Sequence, residues 1–275
     1  MLHLHSLRIA PPGDGPAAAA FPFSVPAIRS LTRLDFRAPV TFLVGENGSG
    51  KSTLLEGIAA AAGLPAVGSE SVERDATLEA QRALGRCVTL AWRHRTRRGF
   101  FLRAEDFFGF AKRVSQMRAE LLQRVGELED EYHAQGRSAY ALGLAQGPMR
   151  ASLADMERRY GIDLDASSHG QSFLRVFQSR FVPGGLYLLD EPEAPLSPQS
   201  QLALIAMMRD MVAQDAQFVV ATHSPILLAF PGARIWSCDE TPVAEVEYDA
   251  LPHVRLTRDF LNAPERFLRH LDGEG

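Results

Sequence analysis

The residues Gly45-Glu46-Asn47-Gly48-Ser49-Gly50-Lys51-Ser52 fill every position of the spacing G-x-x-x-x-G-K-[ST]. In such a loop the backbone N–H groups turn inward around phosphates, the lysine carries charge to the outermost of them, and the serine hydroxyl is a ligand for Mg²⁺. Thr53, the next residue, stands where a G-x-G-x-x-G dinucleotide loop would need its last glycine, so that chemistry is excluded. Gly45 to Ser52 with Thr53 are therefore the expected nucleotide-binding residues. Further on, the apolar run Leu186-Tyr187-Leu188-Leu189 ends in Asp190 and Glu191. Two carboxylates at the end of a buried strand suit a Walker B element, in which Asp190 holds Mg²⁺ through water and Glu191 is the general base for the attacking water. Phe218-Val219-Val220-Ala221 likewise ends in Thr222-His223-Ser224, where His223 can reach a terminal phosphate. Taken alone, the acidic pair reads as a helix start and the histidine as structural. Beside the glycine loop, Lys51, Glu191 and His223 read as catalytic.

The base can be argued too. Guanine selection uses Asn/Thr-Lys-x-Asp, and the only lysines are Lys51, inside the loop, and Lys112, followed by Arg113 and Val114. ATP is expected.

These residues need a sheet to carry them. Residues 2–10 alternate as a strand, a second strand pattern starts near Leu34, and Val40–Val44 is a buried strand running into the loop. From Lys51 the steps Leu54, Leu55, Ile58 and Ala59, closed at Gly63, predict a helix. Residues 86–103 read as two strands around an Arg97-Arg98-Gly99 turn, a hairpin. Residues 107–160 are charged and helical, with Met117, Leu121, Leu122, Val125 and Leu128 at three- and four-residue steps. Helices are expected over Gln171–Phe181 and Gln199–Val212, and buried strands over Leu186–Leu189 and Phe218–Ala221. This alternation predicts an α/β fold with a mostly parallel sheet.

Composition bounds the rest. With 46% hydrophobic and 23% charged residues the chain has the makings of a real core, and its net charge of −4 provides no general attraction to nucleic acid. No apolar run is long enough for a membrane span and no leader is evident, so a cytoplasmic protein is expected. Cys87 and Cys238 are too few for a disulfide framework and read as free thiols.

In this order the motifs resemble the ABC-type ATPases: the loop at Gly45–Ser52, a signature-like segment Ser168-His169-Gly170-Gln171, the Walker B run with Glu191, and the switch histidine His223. The surroundings, Glu191-Pro192-Glu193-Ala194 and Ala221-Thr222-His223-Ser224-Pro225, look most like stand-alone bacterial ATPases related to SMC and Rad50 heads. The resemblance implies a P-loop NTPase, an ABC-ATPase-like core with an antiparallel N-terminal part and a helical subdomain. It would be a single domain over 1–275: an N-terminal part to 105, a helical subdomain over 106–166, and a C-terminal part over 167–275. It implies ATP and Mg²⁺ as cofactors, and Ser168, Gly170 and Gln171 as contacts to the ATP held by a second chain, hence an ATP-dependent homodimer.

Three departures bear on that implication. His169 replaces the first glycine of the family's Leu-Ser-Gly-Gly-Gln loop, and a plain helix N-cap by Ser168 is also physically sound. The family's loop glutamine has no counterpart in Arg103-Ala104-Glu105-Asp106, where Glu105 stands as the substitute metal-side residue. Ser197 occupies the position of an aspartate found in many relatives. An adenine-stacking aromatic at Phe21 or Phe23 competes with core packing, and packing is the expectation. The functional expectation is a nucleotide-driven clamp on a nucleic-acid or protein partner; the alternative is the ATPase subunit of a membrane transporter. Arg93, Arg95 and Arg97 would share one face of a strand and touch phosphates, if that face is not merely solvated.

Overall fold

The computed structural model describes residues 2–10, 12–13, 19–67, 79–160 and 169–269. Its strands are Leu4–Ile9 (β1), Arg33–Asp35 (β2), Val40–Val44 (β3), Ala66–Val67 (β4), Val88–Trp92 (β5), Gly99–Arg103 (β6), Leu186–Asp190 (β7), Gln217–Ala221 (β8), Arg234–Ser237 (β9) and Ala244–Val246 (β10). Seven of them form one sheet in the order β10-β9-β3-β8-β7-β6-β4, and β2-β1-β5 form a second. In the larger sheet every pairing is parallel except that of β10 with β9. The smaller sheet is antiparallel throughout.

Every residue of β3, β7 and β8 is buried, as a parallel strand covered on both faces requires. Because side chains alternate along a strand, the two faces feed two cores. Phe42, Tyr187, Leu189, Phe218 and Val220 enter one. Leu43, Leu186, Leu188, Val219 and Ala221 enter the other, with Leu4, Leu7 and Leu34 of the small sheet.

The helices are Pro26–Ser30 (α1), Lys51–Ala62 (α2), Glu79–Cys87 (α3), Ala104–Ala134 (α4), Ala139–Tyr160 (α5), His169–Arg180 (α6), Pro198–Ala213 (α7), Pro225–Leu228 (α8), Pro252–Asn262 (α9) and Pro264–Leu268 (α10). Helix α2 runs from the glycine loop between the two sheets, burying Leu54, Leu55, Ile58 and Ala59. It ends as the sequence predicts, at Gly63 in the left-handed conformation (φ 66°), whose N–H caps the last turn. The charged stretch after residue 106 forms two long helices, of 31 and 22 residues. At 1.5 Å per residue α4 alone reaches about 46 Å. Gln146 ties α5 to α4 by donating to the Val125 carbonyl at 2.9 Å. Cys87 and Cys238 are free thiols, the second buried.

The expected hairpin over 86–103 is not formed. β5 pairs antiparallel with β1 in the small sheet, whereas β6 pairs parallel with β7 and β4 in the large one. Gly99 opens β6 instead of closing a turn: its φ is 123°, and a side-chain carbon there would lie 1.8 Å from the Leu186 carbonyl oxygen. The Phe100, Phe101 and Leu102 run is buried on both faces, which a two-stranded hairpin could not provide. The same crossover removes the expected basic strand face. Arg93, Arg95 and Arg97 follow the end of β5 and sit exposed in the connection to β6. Of the two phenylalanines upstream of the loop, Phe23 packs in the core, as expected, while Phe21 is 54% exposed.

Candidate active site

The carboxyl ends of β3, β7, β8 and β9 lie side by side, and each delivers polar residues to one edge of the sheet. After β3 comes the glycine loop. Gly45 has φ 147°, and a side-chain carbon there would meet Ser49 Oγ at 2.6 Å and Asp239 Oδ1 at 2.9 Å, so only glycine lets the loop turn this tightly. Lys51, almost fully buried, folds back to donate from Nζ to the carbonyls of Gly45 (2.7 Å) and Glu46 (2.9 Å). An ammonium has three protons, and two of them fix its place beneath the loop while the third remains for an anion.

After β7 come Asp190 and Glu191. Ser52 Oγ, in the first turn of α2, donates to Asp190 Oδ1 at 3.2 Å, joining residues 138 apart in sequence. Burial pushes the Asp190 carboxyl up to about 7, the charges of Glu191 and Glu56 add to the rise, and the Ser52 hydrogen bond and Arg103 oppose it. A buried carboxylate touching a hydroxyl is an incomplete set of hard oxygen donors. Together with phosphate oxygens and water it fits Mg²⁺, which keeps much of its shell as water and binds through one or two protein oxygens. No cluster of three or more His, Cys, Asp or Glu that could hold a metal ion occurs among the described residues.

Glu191 has φ 48°, one of only two described non-glycine residues with positive φ. Its N–H donates to the Ala221 carbonyl at 2.9 Å, and its own carbonyl accepts from Ala194 N–H. These bonds hold a strained conformation that costs on the order of 1 kcal/mol or more and turn the carboxylate, half exposed, towards the cleft. After β8, Thr222 Oγ1 accepts from Ser224 N–H, and Ser224 caps α8. His223 between them donates its backbone N–H to Glu193 Oε1 at 2.8 Å. Its Nε2 lies 3.9 Å from Glu191 Oε1. The residues marked by the sequence thus converge: Gly45, Glu46, Asn47, Glu191 and His223 line one cleft of about 690 Å³.

The same cleft holds residues for which the sequence offered no motif. Asp239, just beyond β9, accepts the Glu46 N–H at 2.8 Å and so pins the first turn of the loop. His253, at the start of α9, faces the cleft from the other side. Asp239 could have been anticipated only from its position at the carboxyl edge of another strand.

Arg103 ends β6, in register with Asp190. Its guanidinium holds Glu56 of α2 (2.8 Å), Asp106 of α4 (2.9 Å) and Glu105 (3.4 Å). Burial pulls its pKa down, but the hydrogen bond and charge of Asp106 and the charges of Glu56 and Glu105 outweigh it, so the net shift is upward. Glu105, expected as a metal-side residue, is 73% exposed and faces Arg103. The link from the loop helix to the long helix α4 is therefore ionic. Removing the cation would leave Glu56 buried without it, and Arg103→Met is expected to cost about 2–4 kcal/mol in urea denaturation. A loss below 0.5 kcal/mol, roughly the size of a surface pair, would show that the network contributes nothing to stability.

Ser197 caps α7, its side chain accepting from Ser200 N–H. Ser168 lies outside the described residues, and His169, Gly170 and Gln171 open α6.

A glycine loop, the Asp190 carboxylate in contact with Ser52, and Glu191 and His223 at the ends of adjacent parallel strands fit a P-loop ATPase of the ABC/AAA type. Residues 88–229, just over half of the chain, match the family described as "AAA domain, putative AbiEii toxin, Type IV TA system", and the chain belongs to that family. Residues 23–129 also match an AAA domain family. Among curated proteins the chain is similar to the cobalt import ATP-binding protein CbiO of Salmonella paratyphi A, 28% identical over 72% of this chain and 66% of CbiO. It is also similar to the ribose import ATP-binding protein RbsA 2 of Burkholderia cenocepacia, 26% identical over 73% of this chain and 37% of RbsA 2. The chain thus spans just under two thirds of the length of CbiO and little more than a third of RbsA 2. Among solved structures it is similar to the Smc head domain with an extended coiled coil, bound to the C-terminal domain of ScpA, from Pyrococcus furiosus (11% identity, 99% of this chain and 100% of that chain, TM-score 0.46). A nucleotide-free ATP-binding cassette from an ABC transporter is similar at 15% identity, over 92% of this chain and 97% of that one, with a TM-score of 0.45.

Proposed function

We propose that this protein hydrolyses ATP with Mg²⁺ and that two copies close around the nucleotide to drive a partner. The observation that carries the proposal is the contact of Ser52 with Asp190, with Lys51 and Glu191 beside it. It assembles the phosphate cradle, the metal-side oxygens and a base at one place. Backbone N–H groups of Gly45 to Ser52, with Thr53, bind the phosphates, and Lys51 offsets their charge. Ser52 directly, and Asp190 through water, hold Mg²⁺, which neutralises the charge developing on the phosphates. Glu191 takes the proton of the attacking water, and His223 senses the terminal phosphate. Each chain has one loop and one segment His169-Gly170-Gln171 at a helix start, so a complete site needs the segment of a second chain, in a two-fold arrangement.

The partner has two readings. The curated relatives are import ATP-binding proteins, and the comparisons back a transporter ATPase subunit more than a stand-alone clamp. The exposed α4–α5 pair, with Met117, Leu122, Tyr140 and Leu144 uncovered, offers a surface for a membrane partner. No helix among the described residues is long and apolar enough to cross a membrane itself. In favour of a clamp on nucleic acid or another protein stand His169 in the signature-like segment and an arginine network where a loop glutamine would be.

Phosphate release should require Mg²⁺ and stop with EDTA, and the protein should elute at twice its monomer mass in Mg-ATP only. Absence of phosphate release under all conditions would end the proposal. Co-purification with a membrane protein selects the transporter reading. Stimulation by DNA that weakens with salt and with Arg→Ala changes at 93, 95 and 97 selects a nucleic-acid clamp.

A further inference from the structure

His253 lies thirty residues beyond the last motif, yet its ring faces that of His223 across the same cleft, with centroids 6.4 Å apart and planes inclined at 68°. The Nε2 atoms of both rings are shielded from solvent, and neither has a hydrogen-bond partner. Two buried ring nitrogens without a partner, on histidines that line the cleft beside Glu191, are out of place in a purely structural wall. The backbone under His253 is firmly seated. Leu251 and Val254 are buried on either side, Pro252 occupies the first helical position, and α9 follows for eleven residues. His253 is therefore presented by a packed helix start, not a loose loop.

The charged and titratable groups around the pair are Glu191, Glu46 and Asp239 on the cleft walls, with Glu193 bonded to the His223 backbone. Glu191 is the one His223 approaches, at 3.9 Å. A histidine between a carboxylate and an open cleft can turn to either, and turning to the carboxylate would occupy the group that must take a proton from water. Burial lowers the His253 pKa and His223 lowers it further, against Asp239, so this second ring faces His223 as a neutral group with one donor and one acceptor.

We infer that His253 is a positioning residue for ATP hydrolysis: when His223 turns off Glu191 towards the terminal phosphate, the unpartnered ring nitrogen of His253 is the group that takes it up and holds it there. The inference rests on the reading of Glu191 and His223 as the hydrolytic pair. His253→Phe keeps the ring volume and removes the nitrogens, while His253→Gln restores a polar end. The expected result is about a tenfold loss of kcat in His253→Phe, with KM for ATP and thermal stability close to wild type, and recovery of most of that loss in His253→Gln. In a His223→Ala background, His253→Phe should produce no further loss, because the residue acts through His223. Wild-type kcat in His253→Phe, or the same tenfold loss with and without His223, would overturn the inference. If His253→Phe does not fold, kcat of His253→Ala compared in the two backgrounds decides by the same criterion. The underlying reading fails separately: His223→Ala alone would then keep wild-type kcat.

Discussion

Glu191→Gln is expected to lower ATP turnover by about 10²- to 10⁴-fold, the range for loss of a positioned general base, while ATP still binds. The amide has nearly the shape of the carboxylate but cannot take a proton from water. Its backbone anchors, the N–H to the Ala221 carbonyl and the carbonyl to Ala194 N–H, do not involve the side chain. The φ of 48° is no harder for glutamine than for glutamate, so the fold has no reason to respond. The approach of His223 Nε2 to Glu191 Oε1 at 3.9 Å is too long to be a hydrogen bond, and its loss removes little. With hydrolysis blocked, the closed two-chain state should accumulate. Size-exclusion chromatography in Mg-ATP should show a dimer that is more persistent than that of wild type. The check is phosphate release alongside nucleotide affinity. Unchanged turnover would remove Glu191 from its role, and a monomer in both proteins would remove the closure.

How far the sequence carried this picture follows from which forces are local. The run Val40–Val44, the glycine loop, the helix from Lys51 and its stop at Gly63 were legible because each obeys a rule read within a dozen residues: burial, φ, periodicity and capping. Asp190, Glu191 and His223 were legible because buried strands must end somewhere, and polar residues mark the ends. The false hairpin had a good local turn signal, but strand pairing is decided across the molecule. β5 finds β1 and β6 finds β7, each pairing with a strand far away along the chain, as in Ile9 with Val88 and Gly99 with Leu186. The arginine stripe fell with it. Arg103 was read only as part of a segment lacking a glutamine; its role is fixed by Glu56, 47 residues earlier, which appears in the sequence as one more charge on a helix. Asp239 and His253 follow no motif spacing at all. They matter because β9 lies beside β3 and α9 begins at the mouth of the cleft, and topology of this kind leaves no short-range trace.

Asp190→Asn should abolish Mg-dependent turnover, by 10²-fold or more on the usual order for loss of a metal-side or electrostatic group, and at the same time stabilise the metal-free protein. Asp190 is only 6% exposed and sits near Glu191 and Glu56, and its carboxyl is pushed up from 3.8 to about 7. Without a metal, the folded protein carries the cost of ionising this group out of water. Asparagine keeps an oxygen to accept the Ser52 hydroxyl and carries no charge. A gain of about 1–3 kcal/mol at pH 8 is expected in denaturant titrations with EDTA, an order-of-magnitude figure below the full value of the shift because Arg103 and neighbouring water share the charge. The sign follows from linkage. Between pH 3.8 and about 7 the folded wild type binds more protons than the unfolded chain, so its stability falls, relative to the variant, as pH rises through this window. The advantage of Asp190→Asn should be full above pH 7 and fade towards pH 4. A variant less stable than wild type at pH 8, or a difference that does not shrink on acidification, would show that Asp190 is not held against its own charge. If both trends appear, the residue that costs stability in the empty site is the one that gives the metal its place, and binding Mg²⁺ repays locally what burial imposes.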